Sequence, residues 1–349
     1  MPRGKSSSPS CRIARAVIDA KLPILVTGAT GFIGSRLTAR LLSSGARVRI
    51  LARSPARATP LATLGAEVVY GDLTRPDTLA SACAACSAVI HCAAWLGSPY
   101  RKDLAWQVNV TGTASLAAAA VAAGVARFVH LSSIAVYGPV REGVVTEDSP
   151  LWQGVELYGD SKIAGEQVLR DARGRGLSVV ILRPGVVYGP RSRGWTLWFI
   201  DRIRKGYPVL VAGGPGLSRP VFIDNLVDAI ELATTRRVGG HAFTIVDADV
   251  PWRVLLGFYG RMLGRPTRSA PQFAASILAV TDLLRAFLTR TPPRLRPAAI
   301  GYAVSQAHYE TSKAKTLLGW TPKITLADSM RITQNWLREQ GLLPTDNNH

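Results

Sequence analysis

Seven short runs rich in branched apolar residues recur at residues 24–27, 47–51, 67–70, 88–91, 127–131, 178–182 and 242–245, and stretches of helical length separate most of them. Runs of this kind, apolar on successive residues, suit strands buried on both faces, and parallel strands need a helix-length crossover between neighbours. The alternation therefore predicts an α/β fold built on a doubly wound parallel sheet. After Arg183-Pro184-Gly185 the alternation weakens and Pro, Gly, Trp and Arg become frequent. A smaller, mostly helical C-terminal lobe is expected there, laid over the carboxyl edge of the sheet, where open α/β sheets hold ligands. Three parts result: a flexible basic extension over 1–20, a sheet-forming unit over 21–185 to which a later strand near 221–246 returns, and the lobe over 186–349.

A chain of 349 residues with 47% hydrophobic and 19% charged residues has the profile of a folded protein with a sizeable core. Its net charge of +19 suits an anionic partner: nucleic acid, an acidic membrane surface or a phosphorylated ligand. Arginines such as Arg36, Arg40, Arg47, Arg49, Arg202 and Arg204 are scattered, with no sustained run and no basic patch interleaved with aromatics. Nucleic acid is accordingly not the expected partner. Four cysteines fit a reducing compartment, so a cytoplasmic location is expected. Cys83 and Cys86 have redox or half-zinc spacing, but no second pair accompanies them; they read as small helix residues, and no metal site is expected. The first twenty residues hold no apolar run long enough for a signal-peptide core. No segment offers ~18 uninterrupted apolar residues. The nearest approach, 273–289, is broken by Asp282 and Arg285.

The first run leads straight into Gly28-Ala29-Thr30-Gly31-Phe32-Ile33-Gly34 and then a helix to about Ser43. Strand, glycine turn and helix follow in the order that cradles a pyrophosphate. The glycines permit close backbone approach, and the helix amino terminus offers unpaired N–H groups and the positive end of a dipole. Further pieces follow in a fixed order: Gly71-Asp72-Leu73, His91-Cys92-Ala93-Ala94, Asn109-Val110-Thr111-Gly112-Thr113, Ser132-Ser133 before Val136-Tyr137-Gly138, Tyr158-x-x-x-Lys162, Leu182-Arg183-Pro184 and Phe222-Ile223-Asp224. This ordered set, over about residues 22–328, resembles the extended short-chain dehydrogenase/reductase family, the NAD-dependent epimerase/dehydratase superfamily. The resemblance implies a Rossmann-type sheet and a nicotinamide cofactor. It places cofactor contacts at Gly28, Thr30, Gly31, Phe32, Ile33, Gly34, Arg53, Asp72, Leu73, Ala93, Ala94, Asn109, Lys162, Pro184 and Val186. Among these Asp72 matches an acidic contact to adenine. The part over 21–185 is then the dinucleotide-binding domain and that over 186–349 the substrate lobe.

Tyr158 and Lys162 are four apart, so on a helix they share one face. A tyrosine hydroxyl is a poor base near neutrality, and a neighbouring ammonium is expected to draw its pKa down. Proton exchange at a hydroxyl or carbonyl becomes feasible. Ser133 would hydrogen-bond the same substrate oxygen and stabilise the charge growing on it. Ser132 is expected to support the backbone, and Asn109 to order a water or strand beside the site.

The second run ends Ile50-Leu51-Ala52-Arg53, without the Asp or Glu that selects NAD at this place. Arg53, helped by Arg57, looks placed for a 2′-phosphate, so NADP is expected, with NAD possible. Nucleotide-sugar enzymes of the family resemble one another in carrying Asn where this chain has Val186. The departure moves the likeness toward the hydroxysteroid dehydrogenase and dihydroflavonol reductase branches. Trp195, Leu197, Trp198, Phe199, Phe258, Tyr259 and the segment 273–280 could line an apolar pocket, rest on a membrane surface as a peripheral contact, or simply form core. Arg219 aligns with a position that often meets a substrate phosphate. The expected activity is hydride transfer between the cofactor and a secondary alcohol or ketone of a lipid-like or aromatic small molecule. A nucleotide-sugar epimerase or dehydratase and a non-catalytic NADP-binding regulator remain alternatives, and a homodimer is expected from the resemblance.

Overall fold

The structure, a computed structural model, describes residues 18–96, 101–291 and 297–343. Most of the basic extension anticipated over 1–20 lies outside these residues. All seven apolar runs become strands: β1 (Ile24–Thr27), β2 (Val48–Ala52), β3 (Glu67–Tyr70), β4 (Ala88–His91), β5 (Arg127–Leu131), β6 (Val179–Pro184) and β7 (Ala242–Ile245). They form one sheet in the order β7-β6-β5-β4-β1-β2-β3, and every neighbouring pair is parallel. β6 runs two residues past its apolar stretch because Pro184 stays in register with Ile245. Backbone pairing, not composition, sets that end.

The unbroken apolar character of the strands has a direct cause, since each strand serves two cores. Val26, Ile50, Ile90, Val129 and Val180 point to one face, where helices α1 (Phe32–Ser43) and α2 (Pro55–Thr63) cover the first two and a later helix, Ile223–Thr235, covers the rest. Leu25, Leu51, Val89, Phe128 and Val179 point to the other, against α3 (Gly112–Ala122) and α4 (Leu157–Gly174). Burying a branched side chain of this size stabilises by roughly 1.5–3 kcal/mol relative to exposure. Strand order reverses between β1 and β4, which opens a crevice at their carboxyl ends.

The second lobe adds α5 (Trp198–Arg204), α6 (Ile223–Thr235), α7 (Trp252–Met262), α8 (Gln272–Thr289), α9 (Pro297–Val304) and α10 (Leu326–Glu339). Short parallel strand pairs join Val186–Tyr188 to Pro220–Phe222 and Leu210–Val211 to Ser269–Ala270. α6 packs against both the sheet and α1. Arg36 of α1 forks onto Asp224 at 2.5 and 3.0 Å, and Arg40 pairs with Asp228. Buried Asn225 accepts from the Lys323 and Ile324 amides, and its carbonyl accepts from the Trp320 indole at 2.8 Å, so the turn at residues 320–324 is tied to α6. Two of the scattered arginines are thus cross-helix ties, not free surface charge.

α8 departs from expectation. Asp282 and Arg285, which interrupt its apolar run, pair with each other at 2.8 Å, and by length and a mean hydropathy of 1.3 the helix is long and apolar enough to cross a membrane. Phe199 and Tyr259, by contrast, are core.

Candidate active site

The crevice begins at the turn after β1. Gly28 has φ of +68°, and a Cβ there would stand 2.6 Å from the Ala93 nitrogen. Only glycine lets this turn press against the loop that follows β4. The Gly31 amide donates to the Gly28 carbonyl at 2.9 Å, and Gly34 lies over the same carbonyl. Gly31 caps α1 without any side-chain bond, and no carboxylate occupies the first turn. The first N–H groups and the positive helix end are therefore available to an anion, and the cradle fits a dinucleotide's pyrophosphate. Thr30, Gly31, Phe32 and Ile33 wall a cavity of about 1480 Å³, larger than the ~300–1,000 Å³ usual for one small ligand.

Ala94, Lys162, Pro184 and Val186 also border that cavity. Of the other seven expected cofactor contacts, Gly28, Gly34 and Ala93 form the close seam between the glycine turn and the loop after β4, and four more do not border the cavity either. Leu73 is core, buried beside Gly112, and Asn109 is buried behind the wall. Arg53 is exposed and stands 3.7 Å from Asp72, both outside the cavity rim. Arg57, from the first turn of α2, does reach the cavity and donates to the Thr30 carbonyl at 3.3 Å.

β5 ends at Leu131, and the chain passes through Ser132 and Ser133 into a short helical turn, Ile134–Tyr137. The Ser132 hydroxyl donates to Glu166 at 2.6 Å, whereas the Ser133 hydroxyl accepts from the Ala135 amide and hydrogen-bonds Tyr158. Ser132 is thus held by a buried carboxylate where a backbone role was expected, and Ser133 faces Tyr158. α4 brings Tyr158 and Lys162 to the same wall. A Cβ on Gly159 would come within 2.8 Å of the Ala135 carbonyl, so glycine beside Tyr158 lets α4 close onto the serine turn. The Lys162 ammonium lies 5.8 Å from the Tyr158 ring centre and donates to the Leu131 carbonyl at 2.7 Å.

The expected electrostatics need correction. Burial pushes the Tyr158 hydroxyl up to about 12, against a smaller downward pull from its bond with Ser133. The ammonium donates to a backbone carbonyl and lies 5.8 Å from the phenol ring centre, so desolvation wins. Burial also lowers Lys162 to about 8, which leaves it mostly charged at neutrality.

Behind the wall runs a polar chain. His91 bridges the Thr27 hydroxyl at 2.7 Å and the Thr113 hydroxyl at 3.0 Å, and Thr113 donates to the Asn109 carbonyl. Burial drives His91 down to about 3, helped by the nearby lysine, so the ring is a neutral spacer. The Asn109 amide donates to Ser161 of α4 and to the Trp95 carbonyl, while its oxygen accepts from the Trp95 amide at 2.7 Å. Asn109 therefore clips the loop after β4 to the helix of Tyr158, a positioning role. Buried Glu166 takes Arg183 in a two-pronged pair at 2.7 and 3.0 Å, and Arg183 also donates to the Tyr137 hydroxyl at 2.7 Å. No motif announced this knot. Its signal was a charged residue inside a doubly buried strand, which requires a partner, and Glu166 one helical turn beyond Lys162.

The far side of the cavity is aromatic: Trp195, Phe199 and Trp252 stack with ring centres about 6 Å apart, and Trp198 joins them at the rim. Arg219 is present, but its Nε and Nη2 groups are committed to the Ser305 and Ala307 carbonyls and the Ser305 hydroxyl. Its guanidinium lies 5.0 Å from the Tyr309 ring centre. Away from the crevice, burial raises both Cys83, to about 12, and Cys86, which makes them inert packing residues.

Comparison with known proteins agrees with this geometry. A family model described as the NAD dependent epimerase/dehydratase family matches residues 24–246. The 4-hydroxy-2-methyl-3-oxo-4-farnesyl-3,4-dihydroquinoline-1-oxide ketoreductase of Stigmatella aurantiaca is 29% identical over 327 residues, covering 91% of this chain and 98% of its own. The decarboxylating sterol-4-alpha-carboxylate 3-dehydrogenase of Mus musculus is 27% identical over 331 residues, covering 88% and 89%. Among solved structures, MoeE5 in complex with UDP-glucose and NAD superposes with a TM-score of 0.73 at 28% identity, over 91% of this chain and 99% of that one.

Proposed function

The chain belongs to the NAD dependent epimerase/dehydratase family and is an NAD(P)-dependent enzyme of the extended short-chain dehydrogenase/reductase type, and from that premise we propose that it reduces the ketone of a lipid-like or aromatic small molecule to a secondary alcohol, with NADP preferred. One observation carries the reading: Ser133, Tyr158 and Lys162 meet at one end of a cavity whose other end is walled by Trp195, Phe199 and Trp252. Val186, whose side chain cannot hydrogen-bond a diphosphate, lines the same cavity.

A bound nicotinamide would supply the hydride. The pyrophosphate would rest on the Gly28–Gly34 turn, and Arg57, with Arg53 beyond it, would meet a 2′-phosphate. Tyr158, up at about 12, holds its proton at neutrality and is set to give it to the oxygen of a carbonyl being reduced. Ser133 donates to the same oxygen and limits where it can sit. As the phenol loses its proton, the Lys162 ammonium on the same helix face offsets the charge. Asn109 and Glu166 act only through others, by holding the loop and the helix. The buried thiols suit work in the cytoplasm, and a homodimer belongs to the same proposal.

A second reading keeps support from the UDP-glucose bound to MoeE5 and from Arg191 and Arg193 on the cavity wall: isomerisation of a nucleotide-sugar. Incubation of the full chain with NADPH or NADH and a panel of alicyclic and aromatic ketones separates the two. Net oxidation of NADPH, faster than that of NADH, is expected. Conversion of a UDP-sugar without net change in cofactor would replace the ketone reading, and tight NADPH binding with no turnover of either class would make the chain a non-catalytic binder.

A further inference from the structure

α8 is anchored along one narrow stripe and left bare along the opposite one. Ala275, Ala279 and Ala286 are buried, the first two against Ile300 of α9 and Val211. At about 100° per residue, Phe273, Ile277, Val280, Leu284 and Phe287 fall within about 80° on the other side. Phe273 and Leu284 are 70% and 60% exposed, and Phe287 and Leu288 are each 72% exposed. Singly exposed apolar residues are ordinary, but a continuous strip about four turns long marks a contact surface.

The charge around it says which contact. Residues 251–291 contain six arginines, Arg253, Arg261, Arg265, Arg268, Arg285 and Arg290, and one carboxylate, Asp282, already paired with Arg285. Two copies meeting through this face would bring arginines together with almost nothing to answer them. An anionic lipid surface answers the excess of positive charge that this segment carries. The same helix also borders the catalytic cavity through Ala275 and Leu278, next to the half-exposed indoles of Trp195 and Trp198.

We propose that α8 lies in the plane of an anionic bilayer surface, its phenylalanine strip at the acyl boundary and its arginines among the lipid phosphates, so that the cavity mouth opens onto lipid. The helix lies flat and does not span, because crossing would strip the alanine seat from α9 and carry Asp282 and Arg285 through hydrocarbon. The docking stands independently of the reaction proposed above.

The test is sedimentation of the full chain with vesicles of phosphatidylcholine alone or phosphatidylcholine mixed with phosphatidylglycerol. Binding to the mixed vesicles is expected, weakening as salt is raised, and the double variant Phe273→Ser/Phe287→Ser should weaken it at least about tenfold while its thermal unfolding and dinucleotide binding stay as in the parent. Three results would overturn the proposal: a parent that remains in the supernatant or binds both vesicle types alike, a variant that binds as well as the parent, or membrane attachment that survives alkaline extraction. A dimer that the variant dissociates, with vesicle binding unchanged, would assign the strip to a second copy.

Discussion

β1 and its neighbours and α8 draw on much the same residues, Ala, Val, Ile, Leu and Phe, and use them in opposite ways. In the sheet the apolar runs of all strands but the edge strand β3 disappear between two helical layers, and the polar groups at its carboxyl edge answer one another: Ser132 to Glu166, Glu166 to Arg183, Arg183 to Tyr137, Asn109 to Trp95 and Ser161. In α8 only the alanines go inward, and the large side chains face out. The difference teaches that hydropathy alone does not tell core from contact surface. What tells them apart is which size of residue occupies the buried stripe, since a helix seated on alanine sits close to its support and keeps its bulk for something else.

The sharpest way to break the comparison is to take the chemistry out of the crevice while leaving its frame. Tyr158→Phe should lower kcat about a thousandfold with dinucleotide affinity held within about twofold, as steady-state kinetics and fluorescence titration would read. Were affinity alone to fall, the crevice would bind without reacting. Next in size is the frame itself. Glu166→Gln strands the buried Arg183 charge and should cost about 3–5 kcal/mol in urea unfolding, whereas Phe287→Ser on α8 should change stability by less than about 0.5 kcal/mol. Equal costs would erase the distinction between the two regions.

The smallest effect tests whether the crevice truly withholds water. Burial lowers Lys162 to about 8, below its value in an unfolded chain, so between those two values the unfolded protein binds a proton the folded one has released. Stability then rises with pH. From pH 7 to pH 10 the parent should gain on the order of 2 kcal/mol relative to Lys162→Met, measured by chemical denaturation at each pH. Above about pH 10 the trend reverses for Tyr158, whose raised value makes the folded state hold its proton longer than the unfolded chain does. A flat difference across pH 7 to 10 would mean that Lys162 sits in water.

The architecture was legible because period and strand number are written in composition: all seven apolar runs became the sheet strands, and Gly28, Ser133, Tyr158 and Lys162 came to one crevice from three separate segments. Side-chain direction was not legible. Arg53 and Arg57 are equivalent as letters, yet only one borders the cavity, because the first turn of α2 aims Arg57 back toward Thr30. The tyrosine's pKa ran the other way from expectation because spacing shows that two groups share a helix face and says nothing about the Leu131 carbonyl to which the ammonium donates. Glu166 escaped notice because its importance depends on Arg183, which the fold alone brings next to it.

The contact between Gly28 and Ala93 carries a consequence for change. With 2.6 Å between a would-be Cβ and the Ala93 nitrogen, the two banks of the crevice share a seam that no side chain can enter. A descendant that needs room for a bulkier molecule cannot find it there, and must instead reshape the Trp195–Trp252 end. Novelty in such a protein is thus confined to one bank of the river, and swapping lobes between relatives should transplant substrate choice while leaving the dinucleotide's berth untouched.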